Sequence, residues 1–134
     1  MKKITLSLFF VLTTSWLSAQ IDSTAFMKKL CSINDVSEVT PISTTTFKEK
    51  YVMKMKQQVD WKTLSQGTFN ERIIIGYKGE DRPTVLVTEG YYADYGMRPN
   101  YEEELSQMFD AYVILCEYRY FAQSTPQPTN WDYM

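Results

Sequence analysis

The chain has 134 residues, a formal net charge of −2 at pH 7 and no histidine. Without histidine, neither a Ser-His-Asp or Cys-His arrangement nor a His-based zinc site can be completed within these residues. The charge leaves no electrostatic footprint for nucleic acid. A content of 44% hydrophobic and 15% aromatic residues predicts a folded chain rather than a disordered one.

The first residues carry the pattern of a secretory signal peptide. Residues 1–3 are positively charged, residues 4–12 are apolar, and a more polar stretch ends in small residues at Ala19. The apolar run is short for a membrane span. We therefore expect residues 1–19 to be removed near Ala19, leaving a secreted or periplasmic protein with no stable membrane span.

The segment 20–46 is predicted to hold one helix and one loop. Helical spacing of apolar residues predicts a helix over 22–33, with Asp22 or Ser23 as its N-cap. Residues 34–46 are rich in Ser and Thr and indicate a loop.

The two cysteines, Cys31 and Cys116, have alternative interpretations. A secreted location permits a disulfide between them. Cys116 ends an apolar run, however, which favours a buried, small hydrophobic side chain. The sequence does not decide whether they are bridged.

The segment 47–134 begins with two predicted strands. Residues 47–58 alternate, with Phe47, Tyr51, Met53 and Met55 on one face and lysines, Lys50 among them, on a face that we expect to be solvated. Residues 68–78 alternate as well. The short connection between the strands predicts an antiparallel hairpin.

A parallel unit is predicted to follow. The runs 84–88 and 112–116 are apolar on both faces, which is typical of buried parallel strands. Between them, Asn100 and Glu103 form a capping-box pattern ahead of a helix. The apolar face of this helix is predicted to contain Tyr101, Leu105, Met108 and Phe109. The fold class is therefore α/β, an antiparallel strand pair followed by a parallel βαβ unit.

Four segments in order resemble a family of secreted tripeptidyl and prolyl aminopeptidases, which are serine peptidases with an α/β-hydrolase fold. The segments are QQVDW, GTFNERIIIGYKG, DRPTVLVTEGY and CEYRYFAQSTP, and the likeness runs from about Tyr51 to Met134. Two departures are Tyr118, where the family often has His, and Ala122, where it often has Gly.

The resemblance implies that 47–134 is the N-terminal portion of an α/β-hydrolase-like peptidase domain with an incomplete sheet. The nucleophile of such enzymes lies on a Gly-x-Ser-x-Gly turn, and the acid and the His follow it. This chain contains no Gly-x-Ser-x-Gly. We therefore expect the chain to be inactive alone, with peptides as substrates of the full-length protein and with no cofactor or metal.

The loop after the first parallel strand supplies the oxyanion-hole candidates, because one donor of an α/β-hydrolase comes from this loop. A backbone N–H at Gly90 or Tyr91 is the candidate, and a plain turn is the alternative. Tyr92 and Tyr95, with Tyr91, Trp131 and Tyr133, are candidates to line a pocket for proline rings; core or inter-domain packing is the alternative.

Two glutamates follow the two predicted parallel strands. Glu89 and Glu117 should lie at the carboxyl edge of the sheet, where α/β sites form. Either carboxylate can bind the α-ammonium group of a substrate. Alternatively, one or both form a structural ion pair with Arg119 or Arg72, because buried charges are seldom left unpaired. Ser124 is interpreted as a turn residue.

A second interpretation comes from a different class: a small secreted α/β binding or interaction domain without catalysis. Such a domain should close its sheet and bury its aromatic residues. An N-terminal portion of a peptidase should instead leave a sheet edge unpaired and aromatic surface exposed.

Overall fold

The computed structural model describes residues 24–88 and 91–134. The predicted signal peptide, the capping candidates Asp22 and Ser23, and the site candidates Glu89 and Gly90 lie outside the described residues. The helices and strands, in chain order, are α1 (Ala25–Cys31), β1 (Val36–Pro41), β2 (Glu49–Gln58), β3 (Thr68–Tyr77), β4 (Thr84–Val87), α2 (Glu104–Phe109) and β5 (Tyr112–Cys116).

These strands form one five-stranded sheet with the order β1-β2-β3-β5-β4. The β1/β2, β2/β3 and β3/β5 pairs are antiparallel, and β4 and β5 are parallel. The predicted hairpin and the predicted parallel pair with a helix between its strands are both confirmed. The fold class, mixed α/β, is confirmed at this level.

The sheet has an apolar cluster on each face. One contains Phe47, Ile74, Val87, Ala93, Val113 and Leu115, and the other contains Leu30, Tyr51, Met53, Ile73 and Ile75. Alternate residues of β3 belong to different clusters, as the period of two in a strand requires. Helix α1 covers the second cluster through Leu30. The prediction that Phe47 shares a face with Tyr51 is wrong, because Phe47 precedes the strand and packs on the opposite side.

The predicted loop 34–46 contains strand β1, which the sequence did not reveal. This strand has only exposed and half-buried residues and ends at Pro41. Pro is tolerated on an edge strand, where its missing N–H breaks no ladder. The helix before it is shorter than predicted, and Thr24 is its N-cap, accepting a hydrogen bond from the Met27 N–H at 3.1 Å.

Lys50 is not on a solvated face. Its side chain is only 2% exposed, and its Nζ donates a hydrogen bond to the carbonyl oxygen of Arg98 at 2.8 Å. The segment that follows β4 covers this face of β2, so the lysine stem is enclosed.

Strand β4 and helix α2 are less buried than predicted. Leu86 of β4 is 58% exposed because β4 lies at the edge of the sheet. Helix α2 begins at Glu104 with Glu103 as a cap that makes no side-chain capping bond. The capping box at Asn100 and the buried apolar face are therefore wrong: Leu105, Met108 and Phe109 are exposed.

Ser106 is the buried residue of α2, with its hydroxyl donating to the Ala111 carbonyl oxygen at 2.8 Å. The two cysteines are free, Cys31 exposed and Cys116 half-buried. Burial raises the pKa of the Cys116 thiol, as expected for a small side chain in an apolar setting. No helix within the described residues is long and apolar enough to cross a bilayer.

Candidate functional site

The carboxyl ends of β4 and β5 lie at the same edge of the sheet because the two strands are parallel. Glu117 comes directly after β5, and the neighbouring strand β3 runs the other way, so that Arg72 lies beside it. The Glu117 N–H donates to the Arg72 carbonyl oxygen at 3.1 Å. This edge is where ligands bind in α/β proteins.

The Glu117 carboxylate is the most enclosed charge at this edge. Its side chain is 0% exposed and forms an ion pair with the Arg72 guanidinium through Oε1. Oε1 also accepts from the Ala93 N–H at 3.2 Å. Oε2 accepts from the Gln123 N–H at 3.1 Å, the Ser124 N–H at 3.1 Å and the Ser124 hydroxyl at 3.0 Å. Every acceptor site of this carboxylate is therefore in use.

Arg72 extends this network to the surface. Its guanidinium, 3% exposed, also donates to Asp94 Oδ1 at 2.7 Å, and the Asp94 side chain is 69% exposed. Burial lowers the pKa of Arg72, but the hydrogen bonds to Glu117 and Asp94 outweigh that effect and raise it. Arg72 therefore stays charged and neutralises the buried carboxylate.

Two short 3₁₀ turns carry the backbone groups that Glu117 binds. Ala93–Met97 follows β4, and Ala122–Ser124 follows β5. The backbone is in the left-handed region at Tyr120, ahead of the second turn, with φ of +67°, and at Ala122, the first residue of that turn, with φ of +37°. Such conformations cost energy for residues other than glycine and persist where the surroundings hold them. Here the buried carboxylate binds the N–H groups of Gln123 and Ser124, the two residues that follow Ala122.

The tyrosine candidates have different environments. Tyr91 and Tyr92 are 69% and 62% exposed, and the Tyr91 ring makes an edge contact with Phe121 at 4.9 Å between centroids. Tyr95 is half-buried and packs edge-on against Tyr101 at 5.0 Å. Tyr91 and Tyr92 thus present accessible aromatic surface at this edge, whereas the surroundings of Tyr95 favour the packing alternative.

The predicted ion-pair residue Arg119 lies elsewhere. Its guanidinium donates to the carbonyl oxygens of Gln58 and Val59 at 3.2 and 2.6 Å, and it lies over the Phe69 ring at 5.3 Å. Of the two alternatives for the partner of Glu117, the structure supports Arg72.

Two members of the network were not identified as site residues from the sequence. Asp94 lies in the short 3₁₀ turn Ala93–Met97, which has no periodic signal in the sequence. Ser124, interpreted as a turn residue, does end a turn, but its hydroxyl both donates to Glu117 and accepts from the Arg72 N–H at 2.9 Å. The Ser124 hydroxyl is 0% exposed and fully engaged, which does not suit a nucleophile.

The acidic run at the start of α2 also has local partners. Glu102 forms an ion pair with Lys78 at 2.8 Å and accepts from the Ser106 hydroxyl at 3.0 Å. Within residues 24–88 and 91–134, no group of three or more Asp, Glu or Cys side chains is placed to hold a metal ion.

The fold and this edge define a mixed α/β protein whose loops meet at the carboxyl ends of a parallel strand pair. Comparison with protein families matches residues 19–134 to PS-10 peptidase S37. The chain therefore belongs to the S37 peptidase family, and the resemblance read from its segments is confirmed.

A curated relative from Streptomyces mobaraensis, a prolyl tri/tetrapeptidyl aminopeptidase, is 38% identical over 81 residues. The alignment covers 60% of this chain and 16% of the relative. The chain thus spans a small part of the length of the relative that it matches. No solved structure matches the chain.

Proposed function

We propose that the chain is the N-terminal segment of a secreted serine-type aminopeptidase that releases tripeptidyl or prolyl peptides from free N-termini. The observation that carries this proposal is the S37 peptidase match over residues 19–134. The name of the 38% identical relative supports the substrate class. Family membership favours this interpretation over a small binding or interaction domain.

The proposal includes an incomplete α/β-hydrolase sheet. Antiparallel strands that lead into a parallel pair, with loops collected at the carboxyl edge of that pair, are consistent with it. A serine peptidase with a triad needs a histidine, and these 134 residues hold none. We propose that the nucleophile, the acid and the His are supplied from outside these residues, so that the chain alone is inactive.

The site residues have separate proposed roles. A backbone N–H at Gly90 or Tyr91 would stabilise the oxyanion, since it belongs to the loop that leaves β4. Glu89, one residue earlier, would bind the α-ammonium group of the substrate. Tyr92, exposed at the same edge, would contact the substrate's proline ring. Glu117 is enclosed by its own donors, which supports a structural role for it rather than substrate binding.

A chimera tests the proposed function. The segment of this chain that matches the Streptomyces mobaraensis relative replaces the corresponding segment of that relative. The substrate is a chromogenic tripeptide anilide ending in proline, with a free N-terminus or an acetylated one. We expect the chimera to hydrolyse the free substrate and the 134-residue chain to hydrolyse neither. A folded but inactive chimera, or hydrolysis by the short chain alone, would contradict the proposal.

The role of Glu89 has its own test in the chimera. Glu89→Gln should raise KM for the free substrate much more than for the acetylated one, because only the free substrate carries the ammonium group. Equal losses for both substrates would exclude the role.

The proposed secretion is tested by export. A bacterial host that secretes the protein should release a product whose first residue is Gln20. A product that keeps residues 1–19 would contradict removal near Ala19.

A further inference from the structure

Glu117 joins three separate segments of the chain inside the protein. Its carboxylate binds five donors: the guanidinium of Arg72, the N–H of Ala93, the N–H of Gln123, and both the N–H and the hydroxyl of Ser124. These donors belong to β3, to the turn after β4 and to the turn after β5. One side chain therefore connects the turn after β4 and the turn after β5 to a residue of the sheet.

The bond to Ala93 matters most for the site. Ala93 is the first residue of the 3₁₀ turn that ends the loop leaving β4, and it is 1% exposed. Tyr91 lies only two residues before it. The ring contact between Tyr91 and Phe121 shows that the two loops meet. Fixing the Ala93 N–H therefore restricts where the backbone at Tyr91 can lie.

An ionised carboxylate is the side chain that suits these donors. Both of its oxygens accept, whereas the amide of glutamine presents one acceptor and one NH₂ donor. With glutamine at position 117, the NH₂ would face N–H groups on one of the two sides. Either the Ala93 N–H or the N–H groups of Gln123 and Ser124 would then lose their acceptor.

We propose that Glu117 is a positioning residue that holds residues 91–93, after β4, in the place from which the Tyr91 N–H acts on the substrate. The proposal rests on the proposed function for its catalytic consequence. Its structural part, the dependence of the Ala93 segment on this carboxylate, stands independently. Glu117 touches no substrate in this scheme and acts through the loop.

A matched control exists on the other face of the sheet. Glu71 is half-buried in β3, and burial raises the pKa of its carboxyl group. Its side chain alternates with that of Arg72 and so points away from the Glu117 network. Glu71→Gln makes the same chemical change but removes no acceptor from Ala93, Gln123 or Ser124; the Glu71 carboxyl instead interacts with the Gln57 side chain and the charge of Arg119.

The first experiment measures amide hydrogen exchange in the 134-residue chain and its variants. In Glu117→Gln we expect exchange at Ala93, Gln123 and Ser124 to rise at least about tenfold, while the amides of β2 and β3 keep their protection. Glu71→Gln should leave the three amides unchanged. Glu117→Asp keeps the charge but is shorter, and an intermediate rise is expected.

Unchanged protection at Ala93 in both Glu117 variants would overturn the proposal. A uniform loss of protection over all strands in both variants would also overturn it, because the carboxylate would then serve the whole fold rather than the loops.

The second experiment measures kinetics in the chimera. Glu117→Gln should lower kcat by about 10- to 100-fold, the range expected when a catalytic donor is misplaced, with KM changed less than about threefold. Glu71→Gln should leave both constants unchanged. A normal kcat in Glu117→Gln would overturn the proposal. If the unsubstituted chimera has no activity, the proposed function fails, and hydrogen exchange alone decides on positioning.

Discussion

Replacement of Lys50 by methionine would test how an ammonium group is accommodated inside this small protein. Lys50 is 2% exposed, and its Nζ has the Arg98 carbonyl oxygen at 2.8 Å as hydrogen-bond acceptor. It also lies 5.7 Å from the centroid of the Phe47 ring and 5.5 Å from that of Tyr101. Burial lowers the pKa of this lysine, because the charged form loses its hydration.

The expected change in the free energy of unfolding is the balance between relief of the buried charge and loss of its contacts. Each unit by which the pKa is lowered corresponds to about 1.4 kcal/mol of stability lost at neutral pH. Methionine removes the charge and keeps the length of the side chain. The substitution gives up one hydrogen bond worth about 1 kcal/mol and ring contacts worth about 0.5–1 kcal/mol each. We expect Lys50→Met to be as stable as the wild type or up to about 1 kcal/mol more stable at pH 7.

The pH dependence separates this reasoning from general packing effects. Between the lowered pKa of the folded state and the ordinary value of 10.5, the unfolded chain binds more protons than the folded one. The stability of the wild type relative to Lys50→Met therefore rises with pH in that window. Any advantage of the variant should shrink between pH 7 and pH 10.5.

Urea denaturation of both proteins at several pH values measures this difference. Lys48→Met is the control, because Lys48 is exposed on the same stretch of chain; it should change the free energy of unfolding by less than about 0.5 kcal/mol. A loss of more than about 2 kcal/mol in Lys50→Met, or a difference from wild type that does not vary with pH, would refute the argument.

Three further predictions concern stability, and urea denaturation measures each of them. Thr24→Ala should lower the free energy of unfolding by about 1 kcal/mol because it removes the acceptor for the Met27 N–H. Thr24→Ser keeps a hydroxyl acceptor and should retain most of that stability, so equal losses in the two variants would contradict the capping role. Gly76→Ala should lower the free energy of unfolding by about 1–3 kcal/mol, since a Cβ there would lie 2.6 Å from the Phe47 ring. Phe47→Leu should reduce that loss in a double-mutant cycle, and additive effects of the two substitutions would exclude the clash. Ala122→Gly should be neutral or stabilising by about 0.5 kcal/mol because φ is +37°, and a clear loss would show that the backbone there is unstrained.

The strands that face the apolar clusters could be predicted from the sequence. Alternation located β2 and β3 to within one or two residues, and the apolar run 112–116 coincides with β5. Such strands bury a full side-chain row, and that burial is what periodicity records. Strand β1 could not be found in this way, because its residues are exposed or half-buried. Its pairing with β2 uses backbone hydrogen bonds and polar contacts such as the Glu38–Lys54 ion pair, which leave no alternating apolar pattern.

In helix α2 an apolar pattern is present in the sequence, but it does not predict which residues are buried. Its apolar residues recur at helical spacing, yet Leu105, Met108 and Phe109 are exposed and Ser106 is buried. The single proton of the Ser106 hydroxyl lies between two acceptor oxygens, Glu102 Oε1 at 3.0 Å and the Ala111 carbonyl oxygen at 2.8 Å. A hydrogen-bonded hydroxyl can be buried at little cost, so the six-residue helix α2 can bury Ser106 in place of the apolar face that the pattern predicted.

The position of the candidate site in the fold could be predicted from the sequence, but the hydrogen-bond partners of its residues could not. Parallel strands require that the residues after β4 and β5 meet at one edge, so Glu117 was located from strand order alone. Whether its carboxylate binds a ligand or anchors loops depends on how many N–H groups point at it. Those groups belong to Ala93, Gln123 and Ser124, in short turns after the strands for which no periodic signal exists.

The two glutamates after the parallel strands are therefore assigned different roles, although both directly follow a predicted parallel strand in the sequence. A carboxylate that binds a substrate ammonium must keep an oxygen free and accessible, because the incoming donor replaces water there. Glu117 has neither property: it is 0% exposed, and both oxygens have donors from its own chain. Removing its charge should disturb the loops and kcat, whereas removing the charge of Glu89 should disturb the recognition of free N-termini and KM. If loss of the Glu117 charge changed mainly KM and loss of the Glu89 charge changed mainly kcat, the two proposed roles would be assigned to the wrong residues.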